Sequence, residues 1–163
     1  SCTDPVNGAT LLAHFVPGAF YGLPGLFWSI DNHKEKALNI HDKVRKVGDE
    51  PVQHLSWGHL SWLIGAKQMP SAEQTLGIVT IYPGKRNALH VHPNCEELLY
   101  VISGECDHKL ANEIIHLTPG SVICIPSGVP HWARCTSTEA LVAVISFSSP
   151  DRQTDTLEGD EIA

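Results

Sequence analysis

Between about residues 52 and 148 the chain alternates short β-like runs with turn signals, and this punctuation constrains the fold more than any other feature. The runs are His59–Ala66, Thr75–Tyr82, Leu89–His92, Glu97–Ser103, Glu105–Leu110, Glu113–His116, Ser121–Ile125, His131–Cys135 and Ala140–Ser148. Pro83-Gly84, Ser103-Gly104, Ala111-Asn112, Pro119-Gly120 and Ser127-Gly128 separate several of them. Glycine and proline break strands because one tolerates left-handed backbone and the other cannot donate to a ladder. Evenly spaced short strands of this kind predict an antiparallel sandwich or barrel.

The flanks read differently. Residues 1–50 are irregular, with Pro17-Gly18 and Pro24-Gly25 steps and an aromatic group of Phe15, Phe20, Tyr21, Phe27 and Trp28. This extension would pack on the barrel or on a partner subunit. Within it, Asn32 followed by Glu35 would cap a short helix through Val47, with Ala37, Ile40, Val44 and Val47 on one face and Gly48 as its stop; extended structure fits nearly as well. Residues 51–150 would form the barrel. Residues 151–163 are an acidic tail, expected to be a loose, solvated end.

Composition excludes several classes of function. Eleven basic against eighteen acidic residues give a net charge of −7, and no Lys/Arg cluster stands out, so nucleic acid is not an expected partner. No apolar run approaches the roughly 20 residues that span a bilayer, so no membrane is expected either. The five cysteines, at positions 2, 95, 106, 124 and 135, show no close pairing, which argues against a disulfide framework. No signal peptide is visible, and a cytoplasmic location is the expectation.

Ten histidines are many for a chain of 163 residues, and their placement carries the chemistry. His90 and His92 are two apart, so on a strand both rings leave the same face. Past the turn-like Pro93-Asn94, Glu97 opens the next apolar run, and a hairpin would return its carboxylate to the imidazoles. His131 follows the stiff segment Pro126-Ser127-Gly128-Val129-Pro130, which would launch it into another strand. Imidazoles with one carboxylate on rigid strands suit a divalent transition metal. The remaining histidines, His14, His33, His41, His54, His59, His108 and His116, show no ligand spacing and read as solvated or structural.

The stretch Gly84 to Gly104 fits the pattern G-x5-H-x-H-x4-E-x6-G at every position, with Gly84, His90, His92, Glu97 and Gly104. The stretch Gly120 to Cys135 fits G-x5-P-x-G-x2-H-x3-N through Gly120, Pro126, Gly128 and His131, with Cys135 in place of the asparagine. With these two motifs the sequence resembles the cupin family over about residues 55–148. The resemblance implies an all-β fold, a double-stranded β-helix of two packed antiparallel sheets, with residues 1–50 as an irregular extension outside it. It implies one divalent transition metal per chain inside the barrel, held by His90, His92, Glu97 and His131. Iron is favoured, with manganese, nickel, copper or zinc as alternatives. Only Glu97, not Glu96, keeps the spacing to Gly104.

Strand parity then places Leu99 and Val101 inside and Tyr100 outside, giving an apolar pocket with Ala133 and either Ile81 or Tyr82. Lys85 and Arg86 precede His90 and could attract a carboxylate at the mouth, although loop charges are more often merely solvated. Arg134 points out of the barrel on a regular strand, and Cys95 reads as incidental. The expected function is a metal-dependent enzyme acting on a small chelating substrate, dioxygenase-type favoured. A metal-dependent isomerase, epimerase or lyase, with Glu97 also serving as base, is the first alternative. A non-catalytic binding or storage protein is the second. Single-domain relatives pair through their sheets, so a homodimer is expected.

Overall fold

The computed structural model describes residues 39–158. Each run read as a strand forms one, with ends displaced by at most two residues. The strands are β1 (Gln53–Leu55), β2 (Gly58–Ile64), β3 (Thr75–Ile81), β4 (His90–Val91), β5 (Glu97–Ser103), β6 (Cys106–Leu110), β7 (Glu113–Leu117), β8 (Val122–Ile125), β9 (His131–Cys135), β10 (Leu141–Phe147) and β11 (Asp155–Thr156). Two of these, β1 and β11, lie outside the strands read from the sequence.

The strands form two antiparallel sheets. One runs β1-β2-β3-β10-β5-β8 and the other β11-β4-β9-β6-β7. Their inner faces make the core because the side chains alternate. Along β5 Glu97, Leu99 and Val101 are buried while Leu98, Tyr100 and Ile102 are exposed, and along β10 Leu141, Ala143, Ile145 and Phe147 are buried. The opposing sheet contributes Cys106, Ala133 and Cys135. Each fully buried aliphatic side chain contributes about 1.5–3 kcal/mol relative to exposure. A slip of one residue along β5 would exchange this apolar set for its exposed one, so burial fixes the register.

Gly104, the last residue of the first motif, shows why that position is glycine. Its φ is +72°, and a Cβ there would stand 2.6 Å from the backbone oxygen of Ala140 and 2.8 Å from the Cα of Leu141. Any side chain would be strained and would push against β10, which pairs with β5 through the whole core.

Two expectations at the flanks are corrected. The helix expected through Val47 is, over its described part, a single 3-10 turn, Ile40–Lys43, capped by the Asn39 side chain on the His41 amide. Val44 is already extended, and Ile40, Val44 and Val47 are exposed. A short segment rich in β-branched and polar residues gains too little to offset helix nucleation when its apolar stripe is not buried. Its start at Asn32, and the aromatic group before it, lie outside the described residues.

The second correction concerns the polar segment after β10. Residues 150–158 are not loose: β11 pairs with β4, Asp155 opposite Val91 and Thr156 opposite His90. The Asn94 side chain holds this strap from both sides, donating to the Asp151 carbonyl at 2.8 Å and accepting from the Gln153 amide at 3.0 Å. Backbone and amide hydrogen bonds fasten it.

Candidate metal centre

His90, His92, Glu97 and His131 converge, each offering one donor atom within 4.8 Å of the others. The topology accounts for this. His90 on β4 stands directly opposite His131 on β9, and their ring centroids are 4.2 Å apart. His92 leaves the same face just past β4, at 5.0 Å from His90 and 5.1 Å from His131. Glu97 opens β5 in the facing sheet and reaches across, while Glu96 is exposed. His92, Glu97 and His131 are each at most 5% exposed.

Three backbone carbonyls set the tautomers. The Nδ1 of His90 lies 2.7 Å from the Ala88 oxygen, that of His92 2.8 Å from the Gln153 oxygen, and that of His131 2.8 Å from the Val129 oxygen. A carbonyl can only accept, so each Nδ1 carries the proton and a neutral ring turns the lone pair of Nε2 towards the common centre. Glu97 Oε2 lies 3.0 Å from His92 Nε2 and 3.2 Å from His131 Nε2. Such contacts between lone pairs are favourable only when a positive charge is shared among them. Donors about 2.1 Å from one ion and at right angles to one another stand about 3.0 Å apart, so the four residues fit a transition metal.

The electrostatics agree with a ligand set. Burial lowers His90 to about 4, with the neighbouring His131 charge adding to the effect, so the ring is neutral near pH 7. Burial by itself would raise the Glu97 carboxyl, but His131 and His92 outweigh it and hold the group below the usual carboxylate range.

Of the two readings left open for His108, solvated or structural, the structure shows the structural one. His108, on β6, is 1% exposed and stacks on His131 with centroids 6.0 Å apart and planes 9° from parallel. Its Nδ1 is buried without a hydrogen-bond partner. A signal was present: Asp107 and Lys109 flank it, so parity put Cys106, His108 and Leu110 inside. The exposed His116 instead meets Asp107 and Glu105 at 3.0 and 3.4 Å.

Burial, followed by the charge of His131, lowers His108 to about 4 from its ordinary 6.5. The unfolded chain therefore takes up a proton between about pH 6.5 and 4 that the folded chain refuses. Stability present above pH 6.5 is lost as the pH falls through that window, by about 3 kcal/mol for this group. Urea unfolding of chelator-treated protein at pH 7.5 and 4.5 should show the loss, and His108→Leu should reduce it. An unchanged pH slope in that variant would contradict the assignment.

A cavity of about 290 Å³ opens on the cluster, with Leu60, Val79, Ile81, Leu99, Ala133, Ile145 and Phe147 among its apolar walls and Asn87 and Thr154 among its polar ones. Leu99, Ile81 and Ala133 thus lie where parity placed them; Val101 is buried but does not line the cavity, and Tyr82 is partly exposed. Arg86 lies over the Trp132 ring at 5.3 Å, with Arg134 also near that ring at 5.6 Å, and neither lines the cavity. Lys85 is exposed. The cation that does line it is Arg152, which the sequence reading passed over. Cys95 is buried, and burial raises its thiol pKa, which suits a packing role. His14 and His33 fall outside the described residues, and His41, His54 and His59 do not join the cluster.

Residues 77–147 match the family model of the cupin domain. The chain is 27% identical over 94 residues to protein SchB of Streptomyces halstedii, covering 58% of this chain and 68% of that protein. Among solved structures it is similar to Lactobacillus farciminis oxalate decarboxylase in a formate complex, with 26% identity and a TM-score of 0.63 over 67% of this chain. Bacillus subtilis oxalate decarboxylase, studied for its Mn(II) centres, superposes with a TM-score of 0.62 at 22% identity over 66% of this chain. The chain spans only 34% and 30% of those two decarboxylase chains.

Proposed function

We propose that this chain, whose residues 77–147 match the cupin domain model, is a metal-dependent enzyme that acts on a small chelating organic substrate by oxygenase chemistry. One observation carries the choice of chemistry. Among the described residues, every titratable side chain lining the cavity is either a candidate ligand (His90, His92 or Glu97) or Arg152. Isomerisation and elimination through an enediolate need a general acid and base within reach of the substrate. Glu97 is the available carboxylate, and within the four-donor set it is committed to the ion rather than free to act as a base near neutral pH. Oxidation of an electron-rich chelator makes no such demand.

A transition ion, with iron favoured, would supply Lewis acidity and one-electron chemistry at this site. The chain's own part is positioning. The three carbonyl-held imidazoles keep their lone pairs on one point, and Glu97 offsets part of the ion's charge. Val79, Ile81, Leu99 and Ile145 exclude water and pack the substrate body. A lyase is the second reading, favoured by the likeness to oxalate decarboxylases.

The two separate in one assay. Protein loaded with Fe(II), and separately with Mn(II), is given catechols, enolisable diketones and oxalate under air and under argon. Oxygen consumption matched to product, abolished by argon, is the expected result. Carbon dioxide release from oxalate without net oxygen consumption would replace the oxygenase reading with the lyase one.

A further inference from the structure

We infer that Arg152 is a substrate-binding residue that selects for an anion: its guanidinium takes a carboxylate of a molecule whose other end chelates the ion at His90, His92, Glu97 and His131. The inference rests on the metal reading above and goes beyond it in naming the substrate's charge. Arg152 lies on the strap after β10, outside both sequence motifs, and lines the cavity that holds His90, His92 and Glu97. Its guanidinium carbon lies 4.5 Å from the Trp62 ring centroid and 5.0 Å from that of Phe147. Phe147 also carries the His92 ring, edge-on at 4.9 Å. One aromatic ring therefore touches both the cation and a metal ligand.

The side chain is held in place rather than trailing in solvent. Two aromatic rings fix its plane, and Nη1 donates to the Thr154 hydroxyl. A guanidinium has five N–H donors. Among the described residues, only Thr154 accepts one of them, and no carboxylate lies within ion-pair distance. Burial weakens the group's hold on its proton, with Glu97 the main compensating charge. A half-buried, rigidly placed cation without a paired anion is costly unless an anion arrives to meet it.

Charge balance gives the same answer. A divalent ion exceeds the Glu97 charge by one, and Arg152 adds a second positive charge. No other charged side chain among the described residues lines the cavity. Leu99, Val79, Ile145 and the Phe147 ring line the same cavity as the two charges. The fitting ligand is a small carboxylic acid with a compact apolar or aromatic body and a chelating group at its far end. About 290 Å³ admits one such molecule.

The test uses full-length protein loaded with redox-silent Zn(II) and two probes of matched shape, 3,4-dihydroxybenzoate and 4-methylcatechol, titrated by calorimetry. The expected wild-type result is at least a tenfold preference for the carboxylate. Arg152→Gln should abolish that preference while changing 4-methylcatechol affinity less than threefold. Arg152→Lys should keep part of it, and serves as the test if the glutamine variant does not fold. No preference in the wild type, or equal loss of both probes in the variant, would overturn the inference. Zinc content, measured on each sample, separates the two layers. If the wild type takes up no zinc, the metal reading fails; benzoate binding to metal-free wild type and Arg152→Gln then decides on Arg152 alone, equal affinities overturning it.

Discussion

Replacing His131 or His92 with alanine should cut bound metal from about one ion per chain to about a tenth or less. Each substitution removes a neutral Nε2 whose partner nitrogen is already committed to a carbonyl, Val129 for His131 and Gln153 for His92. Among the described residues no other ring joins the converging donors, His108 stacking on His131 without being one of them. Elemental analysis of protein purified without a chelating column gives the answer, with near-ultraviolet circular dichroism confirming that the variants are folded. His116→Ala is the control, since that ring engages exposed Asp107 and Glu105. Unchanged metal in the His131 and His92 variants would remove the four-donor assignment.

Phe147→Ala should have the largest effect on stability, about 3–5 kcal/mol, read as a fall in melting temperature of about 10–20 °C. Phe147 is 2% exposed, closes the buried row of β10, and touches Trp62, His92 and the Arg152 guanidinium. Truncating it leaves a void that the two paired strands flanking β10 cannot close. The same void loosens the packing that orients His92, so metal affinity should fall alongside stability although no donor is removed. A loss below about 1 kcal/mol in urea unfolding would mean the site collapses freely around residue 147.

The barrel was legible because its signals are local. Alternation along Glu97–Ser103 fixes which side chains face inwards, and glycine at positions such as 104 marks where the chain must turn. The convergence of His90, His92, Glu97 and His131 follows from parity and a hairpin, both expressed in spacing. What escaped the reading lacks that expression. The strap after β10 is polar and aperiodic, and its attachment runs through the Asn94 amide and main-chain atoms, which leave no pattern of side-chain types. The carbonyl that fixes His92 belongs to Gln153, and a carbonyl is the same in every residue. Arg152 gave no sign because its neighbours Trp62 and Phe147 are remote in sequence. For His108 the sequence left solvated and structural readings open, and the alternation of Asp107 and Lys109 around it is the signal that separates them.

The strap also divides responsibility within the molecule. Both motifs lie before residue 136, on strands whose register is locked by the core. The groups that stand beside the donors, the Gln153 carbonyl, the Thr154 hydroxyl and the Arg152 cation, come from a short stretch that carries neither motif. That stretch adds little to the core, so its side chains can change at small cost to folding. A lineage could therefore retune what the centre accepts by rewriting a few residues after β10, keeping the four donors and the barrel as inherited, and selection on chemistry would act on one part of the gene while selection on folding acted on another.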